Sequence, residues 1–238
     1  MSWWNQTAPG ARQQIDPEFT PYGGLIVDLN SQWSLYGSYA QVFQPQSQLT
    51  REGKPLDPVT GTNYEAGVKG ELAGGALNVS LAVFQILQKD RAIQDPDWPC
   101  VGNNCYYVQG GEVRSRGIEA EANGQITPHW SVAGGYTFNT SKYVKDPISN
   151  GQPFASFTPK HIFRVWTNYA LPVLDRRLSV GGGVQMQSGY STVSGPVTLR
   201  QGGVTLVDLR AAYRVDKHVT VALNLNNVFD RGYYCLLY

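Results

Sequence analysis

No run of eighteen consecutive apolar residues occurs in this 238-residue chain, which excludes a transmembrane helix. Charge is also scarce: Asp, Glu, Lys and Arg make up 16% of residues, the net charge is +1, and like charges never form a block. A nucleic-acid partner would call for a clustered basic excess and is not expected. Histidine and cysteine are limited to three each. No H-E-x-x-H pair, no G-x-S-x-G elbow and no glycine-rich phosphate loop ending in Lys-Ser/Thr appears, so the sequence reads as neither an enzyme nor a resident-cofactor protein. The opening MSWWNQTAPG lacks both a basic and an apolar region, so it is not read as a signal peptide.

What is plentiful is glycine (26), tyrosine (14) and tryptophan (6), set in long period-2 stretches. From His218 to Tyr234, Val219, Val221, Leu223, Leu225 and Phe229 alternate with Thr220, Ala222, Asn224 and Asn226. That alternation gives a strand one apolar and one polar face. About nine similar segments precede it. They begin with FTPYGGLIVDL from Phe19 and the stretch from Trp33 to Phe43, followed by Tyr64–Leu72, Leu77–Leu87, Arg116–Ile126 and WSVAGGYTFN. Further strands start near Phe163, Leu178 (with Tyr190 at its end) and Leu206. Short turns such as Asn30-Ser31, Ala73-Gly74-Gly75, Thr127-Pro128-His129 and Asp216-Lys217 alternate with long polar loops. The expectation is an all-β, antiparallel sheet of about ten strands with all long loops at one end. A mean hydropathy of −0.29 suits a soluble β protein or a transmembrane β-barrel, because alternation dilutes hydropathy.

Glu65, Lys69, Glu71, Glu119, Glu121, Asp208, Arg210 and Arg214 all fall on the polar phase of their strands, as does Arg164. In a barrel they line a hydrated lumen, since Lys or Arg facing lipid at the midplane costs about 2–4 kcal/mol. An ordinary solvated sheet face predicts the same alternation. Aromatics near strand ends (Trp33, Phe43, Trp130, Phe138, Tyr190, Phe229) fit interfacial girdles. Cys100 and Cys105 flank VGNN and suit a short disulfide-closed loop; a zinc half-site is the alternative, but no second pair or spaced histidine completes it. Cys235 is left over. Glu119 and Glu121 have a glycosidase-like separation that nothing else supports, and the three glycines 181–183 imply close packing against a neighbour.

Five segments, in order, carry a resemblance: SLYGSYAQVFQPQ (34–46), NYEAGVKGEL (63–72), GEVRSRGIEAEANG (111–124), TPKHIFRVWTNYAL (158–171) and NLNNVFDRGYY (224–234). With them the chain resembles the TonB-dependent outer-membrane receptors, in particular ferric-siderophore receptors of the coprogen and pyoverdine type. The resemblance implies a 22-stranded barrel with short periplasmic turns and long extracellular loops, filled by an N-terminal plug. It also implies a ferric siderophore as ligand, outer-membrane lipid as surroundings, and the TonB–ExbB–ExbD complex as a partner reached through an N-terminal box. Residues 1–238 are expected to be part of that barrel domain, without plug, TonB box or final strand. The tail CLLY departs from the family pattern, so a truncated fragment inactive in transport is expected. In the long loops, Trp98, Tyr106, Tyr107, Phe154 and Phe157 are candidates for contacting an iron chelate, with loop packing as the bland alternative. Two other classes stay open: a small passive outer-membrane channel, and a soluble β-rich binding protein.

Overall fold

The computed structural model describes residues 19–98, 100–102, 105–194 and 197–234. The opening residues 1–14 and the tail with Cys235 lie outside them. Twelve strands follow in chain order: β1 (Tyr22–Asp28), β2 (Trp33–Gln44), β3 (Val59–Leu72), β4 (Leu77–Gln94), β5 (Tyr107–Thr127), β6 (Trp130–Lys145), β7 (His161–Ala170), β8 (Leu178–Gln187), β9 (Tyr190–Ser194), β10 (Val197–Gln201), β11 (Val204–Arg214) and β12 (Thr220–Leu225). Ten form one antiparallel sheet in the order β1-β2-β3-β4-β5-β6-β7-β8-β11-β12. The sheet is open: β1 and β12 are its edges and do not pair with each other. β9 and β10 form a separate hairpin in the loop between β8 and β11.

The ten strands expected from the sequence are those of the large sheet. Their upper ends differ. β5 begins at Tyr107, nine residues before Arg116, and β4 runs on to Gln94 past a bulge where Asp90 has φ 60°. Tyr190 does not end β8 but opens β9, a hairpin the sequence reading missed. At 18 and 21 residues, β4 and β5 are about twice the 9–11 residues that cross a bilayer. Their upper halves therefore stand clear of any membrane.

Register fixes the faces, because residues directly opposite point the same way. Gly37, Ala66, Val83, Ile118, Phe138 and His161 form one cross-strand row on the apolar face, and Ser38, Glu65 and Phe84 one on the polar face. The apolar face remains bare in the isolated chain: Leu81, Val83 and Leu223 are 49%, 52% and 63% exposed. Such a face requires a covering that the chain does not supply.

Four cross-strand pairs set an aromatic ring over a glycine: Tyr36 over Gly67, Phe84 over Gly117, Trp166 over Gly183, and Trp33 over Gly70. A Cβ on Gly67 would meet the Tyr36 ring at 2.7 Å, and one on Gly183 would meet Trp166 at 2.5 Å. The neighbour that glycines 181–183 accommodate is thus Trp166 of β7.

Candidate ligand-binding site

The long-loop end is built as an upper tier with its own small core. Loop 45–58 folds back on the upper ends of β3, β4 and β5, burying Leu56, Val59 and Val113. Its keystone is Gln46, a buried amide with all its obvious partners present. Gln46 Nε2 donates to the carbonyls of Asp57 and Asp90, each at 2.7 Å, while the Ala92 N–H donates to Gln46 Oε1 at 2.8 Å. The Thr60 hydroxyl donates to the Asp90 carboxylate, completing the tie between loop and bulge. At the loop tip the Glu52 carboxyl is held below its ordinary range by its own backbone N–H and by the Thr50 hydroxyl.

Two aromatic clusters sit on this tier. In the first, the Arg51 guanidinium lies 3.6 Å from the centre of the Trp98 ring, beside the loop closed by the Cys100–Cys105 disulfide (Sγ–Sγ 2.00 Å). Tyr106 and Tyr107 lead out of that loop; the Tyr106 carbonyl accepts from Asp95 N–H, and Tyr107 N–H donates to the Leu49 carbonyl. In the second, Phe154 is held between the Arg91 guanidinium at 4.6 Å and the edge of Tyr143 at 5.2 Å. Phe157 lies in the same loop and is 36% exposed, as is Tyr106. The five aromatics named from the sequence therefore divide three and two. Arg51, Arg91, Tyr143 and Gln46 were missed, because their roles arise from contacts between residues dozens of positions apart.

Nearer the short-turn end, the eight charged residues singled out from the sequence share the polar face. They are segregated by sign. Glu65, Glu71, Glu119 and Glu121, with Lys69, occupy β3 and β5; Arg210 and Arg214, with Asp208, occupy β11, and Arg164 lies on β7. The Tyr36 hydroxyl donates to Glu65 and the Lys69 ammonium lies 4.7 Å from the Tyr36 ring centre. Asp208 is engaged locally, accepting from the Asn227 N–H at 2.8 Å where the chain leaves β12. Among the described residues no group of three or more His, Cys, Asp or Glu could hold a metal. Of the histidines, His161 pairs with the Tyr136 hydroxyl at 2.9 Å and His218 lies 4.0 Å from Asp216.

An open antiparallel sheet with one aliphatic and one charged face, topped by a loop tier, is the geometry of a barrel sector. Residues 2–228 match the family described as TonB dependent receptor-like, beta-barrel. The chain belongs to this family. It is 36% identical over 222 residues to the ferric-pyoverdine M114 receptor PbuA of Pseudomonas sp. (strain M114), covering 91% of this chain and 26% of that protein. It is 30% identical to the ferrichrome outer membrane transporter/phage receptor of Escherichia coli (strain K12), over 96% of this chain and 30% of the other. The crystal structure of the ferripyoverdine receptor of the outer membrane of Pseudomonas aeruginosa bound to ferripyoverdine superposes with a TM-score of 0.82 at 33% identity, over 92% of this chain and 30% of that one. The chain thus spans between a quarter and a third of these relatives. Membership identifies it as part of an outer-membrane barrel, with its apolar face toward lipid, its short turns periplasmic and its upper tier extracellular.

Proposed function

We propose that the chain is the C-terminal barrel sector of a receptor that carries a ferric siderophore across the outer membrane, driven by the TonB–ExbB–ExbD complex. The observation that carries this reading is the two-faced open sheet in a chain whose relatives over nine-tenths of its length are ferric-pyoverdine receptors. Iron is cargo here, delivered inside its chelate. Trp98, Tyr106, Tyr107, Phe154 and Phe157 offer ring faces to the chelate, and Arg51 and Arg91 bring positive charge beside two of those rings. The eight charged residues of the polar face line the lumen, where a plug supplies complementary groups.

A passive ten-stranded channel is not favoured, because the ten strands leave β1 and β12 as unpaired edges. A soluble β-rich protein is not favoured either, because nothing in the chain covers the apolar face. The test is uptake of radiolabelled iron, supplied as ferric siderophores, by cells whose only siderophore receptor carries this barrel sector. Saturable uptake that disappears on deletion of TonB is expected. Uptake undiminished without TonB, or no uptake of any ferric siderophore by a correctly folded receptor, overturns the proposal.

A further inference from the structure

The apolar face stops abruptly at its upper edge. Val83, Ile118 and Phe138 are the last aliphatic or aromatic row across β4, β5 and β6. The next outward row is Gln85, Arg116 and Thr140, and the one above it Leu87, Arg114 and Lys142. Lys89 follows Leu87 on the same phase of β4. Four cations thus share the lipid-facing surface directly above the lipid-compatible band.

Their surroundings do not neutralise them. Among the described residues, none of the four has a carboxylate within 4.0 Å; the one ion pair at that distance is His218 with Asp216. Arg116 donates from Nε to the Gln85 side chain at 2.7 Å, leaving the rest of its guanidinium free. Glu112, the carboxylate on the same strand and phase, stands opposite Lys145. Arg114 and Lys142 are direct cross-strand partners, so their Cβ atoms lie about 5 Å apart, where like charges repel. An anion placed between them would convert that repulsion into binding, and a guanidinium fork suits phosphate. Height agrees. Arg116 is eleven residues from Thr127 at the periplasmic end of β5; at ~3.3 Å per residue and a tilt of about 40° that is roughly 28 Å, just above an apolar band of about 25 Å.

We propose that Arg114, Arg116 and Lys142, with Lys89 at the margin, form a site on the outer wall of the barrel for the phosphate group of an anionic lipid of the outer leaflet. The occupant is an amphiphile because the cations rise directly from the Val83–Ile118–Phe138 row: acyl chains rest on that row while the phosphate sits between the two strands above. A free anion or an acidic protein segment would leave the apolar row unused. This site rests on the outer-membrane placement of the family and is independent of which chelate is transported.

Native mass spectrometry of the protein extracted from outer membranes in mild detergent, stripped of lipid and re-supplied with diphosphorylated lipid A or the same lipid with its phosphates removed, tests the site. The phosphorylated lipid should be retained at least 10-fold better. The triple variant Arg114→Gln/Arg116→Gln/Lys142→Gln should lose that preference. A control variant, Arg176→Gln/Arg177→Gln/Lys217→Gln, which removes three cations from the periplasmic turns, should keep it. Equal retention of the two lipids by the unaltered protein overturns the proposal, and so does a preference unchanged in the triple variant or equally lost in the control. Should the triple variant fail to fold, the two-lipid comparison on the unaltered protein still decides.

Discussion

Val113, in the extracellular tier, is 1% exposed, and Leu56 and Val59 beside it are 6% and 7%; lower on the same strands, Leu81, Val83 and Ile118 are between 41% and 52% exposed. The tier is organised like a small water-soluble protein, with a protein core, a bonded buried amide, a disulfide and stacked guanidinium groups. The membrane sheet keeps only a few small or medium side chains, such as Ala82, Val204 and Ala212, buried by protein. Its apolar side chains find their partners in lipid. One set of strands therefore meets two solvents, and the same substitution should act differently in each.

The largest contrast is one of charge. Leu81→Arg, on the lipid face, should destabilise the barrel in bilayers by about 2–4 kcal/mol, whereas Ser80→Arg, one residue away on the polar face between Lys69 and Glu121, should cost far less. Equilibrium unfolding from lipid vesicles would measure both; equal effects would break the two-faced reading. Gln46→Ala should follow, because two carbonyls and one N–H lose their partner in a buried setting, a local cost of about 2–3 kcal/mol. Hydrogen exchange should report opening of loop 45–58 and the Asp90 bulge, with the membrane part of β3 and β4 unchanged.

Opening the Cys100–Cys105 bridge by Cys100→Ser/Cys105→Ser releases a loop of sequence separation 5, for which chain entropy gives about 2 kcal/mol. Limited proteolysis between β4 and β5 should accelerate while the heat-shifted gel mobility of the barrel stays. Arg51→Ala is the mildest, removing one cation–π contact worth about 0.5–1 kcal/mol, and should be seen as a change in Trp98 fluorescence rather than in stability.

The sheet was legible in the sequence to the extent that its environment is two-sided. Alternation from Trp33 to Phe43 or from Leu178 to Gln187 records lipid on one side and water on the other, so strand, phase and the outward or inward sense of Glu65 or Arg210 could be read together. In the tier that signal fades. The upper part of β5, YVQGGEV, is surrounded by protein and water on both sides and reads as loop, and the hairpin β9–β10 carries no lipid-facing phase to betray it. The site aromatics were found by residue type alone. Their partners Arg51 and Arg91 were not, since a stacking contact across loops leaves no periodic trace.

The rings that lie over glycines join positions that chain order separates: 36 with 67, 84 with 117, 166 with 183. Each ring occupies the volume that a Cβ on its partner would claim, so neither member can change freely without the other. Descent should leave a mark of this. Across relatives of this barrel, loss of the ring and gain of a side chain at the facing glycine should travel together, a correlation visible by comparing sequences and absent between the same glycines and the aromatic residues beside them on their own strands.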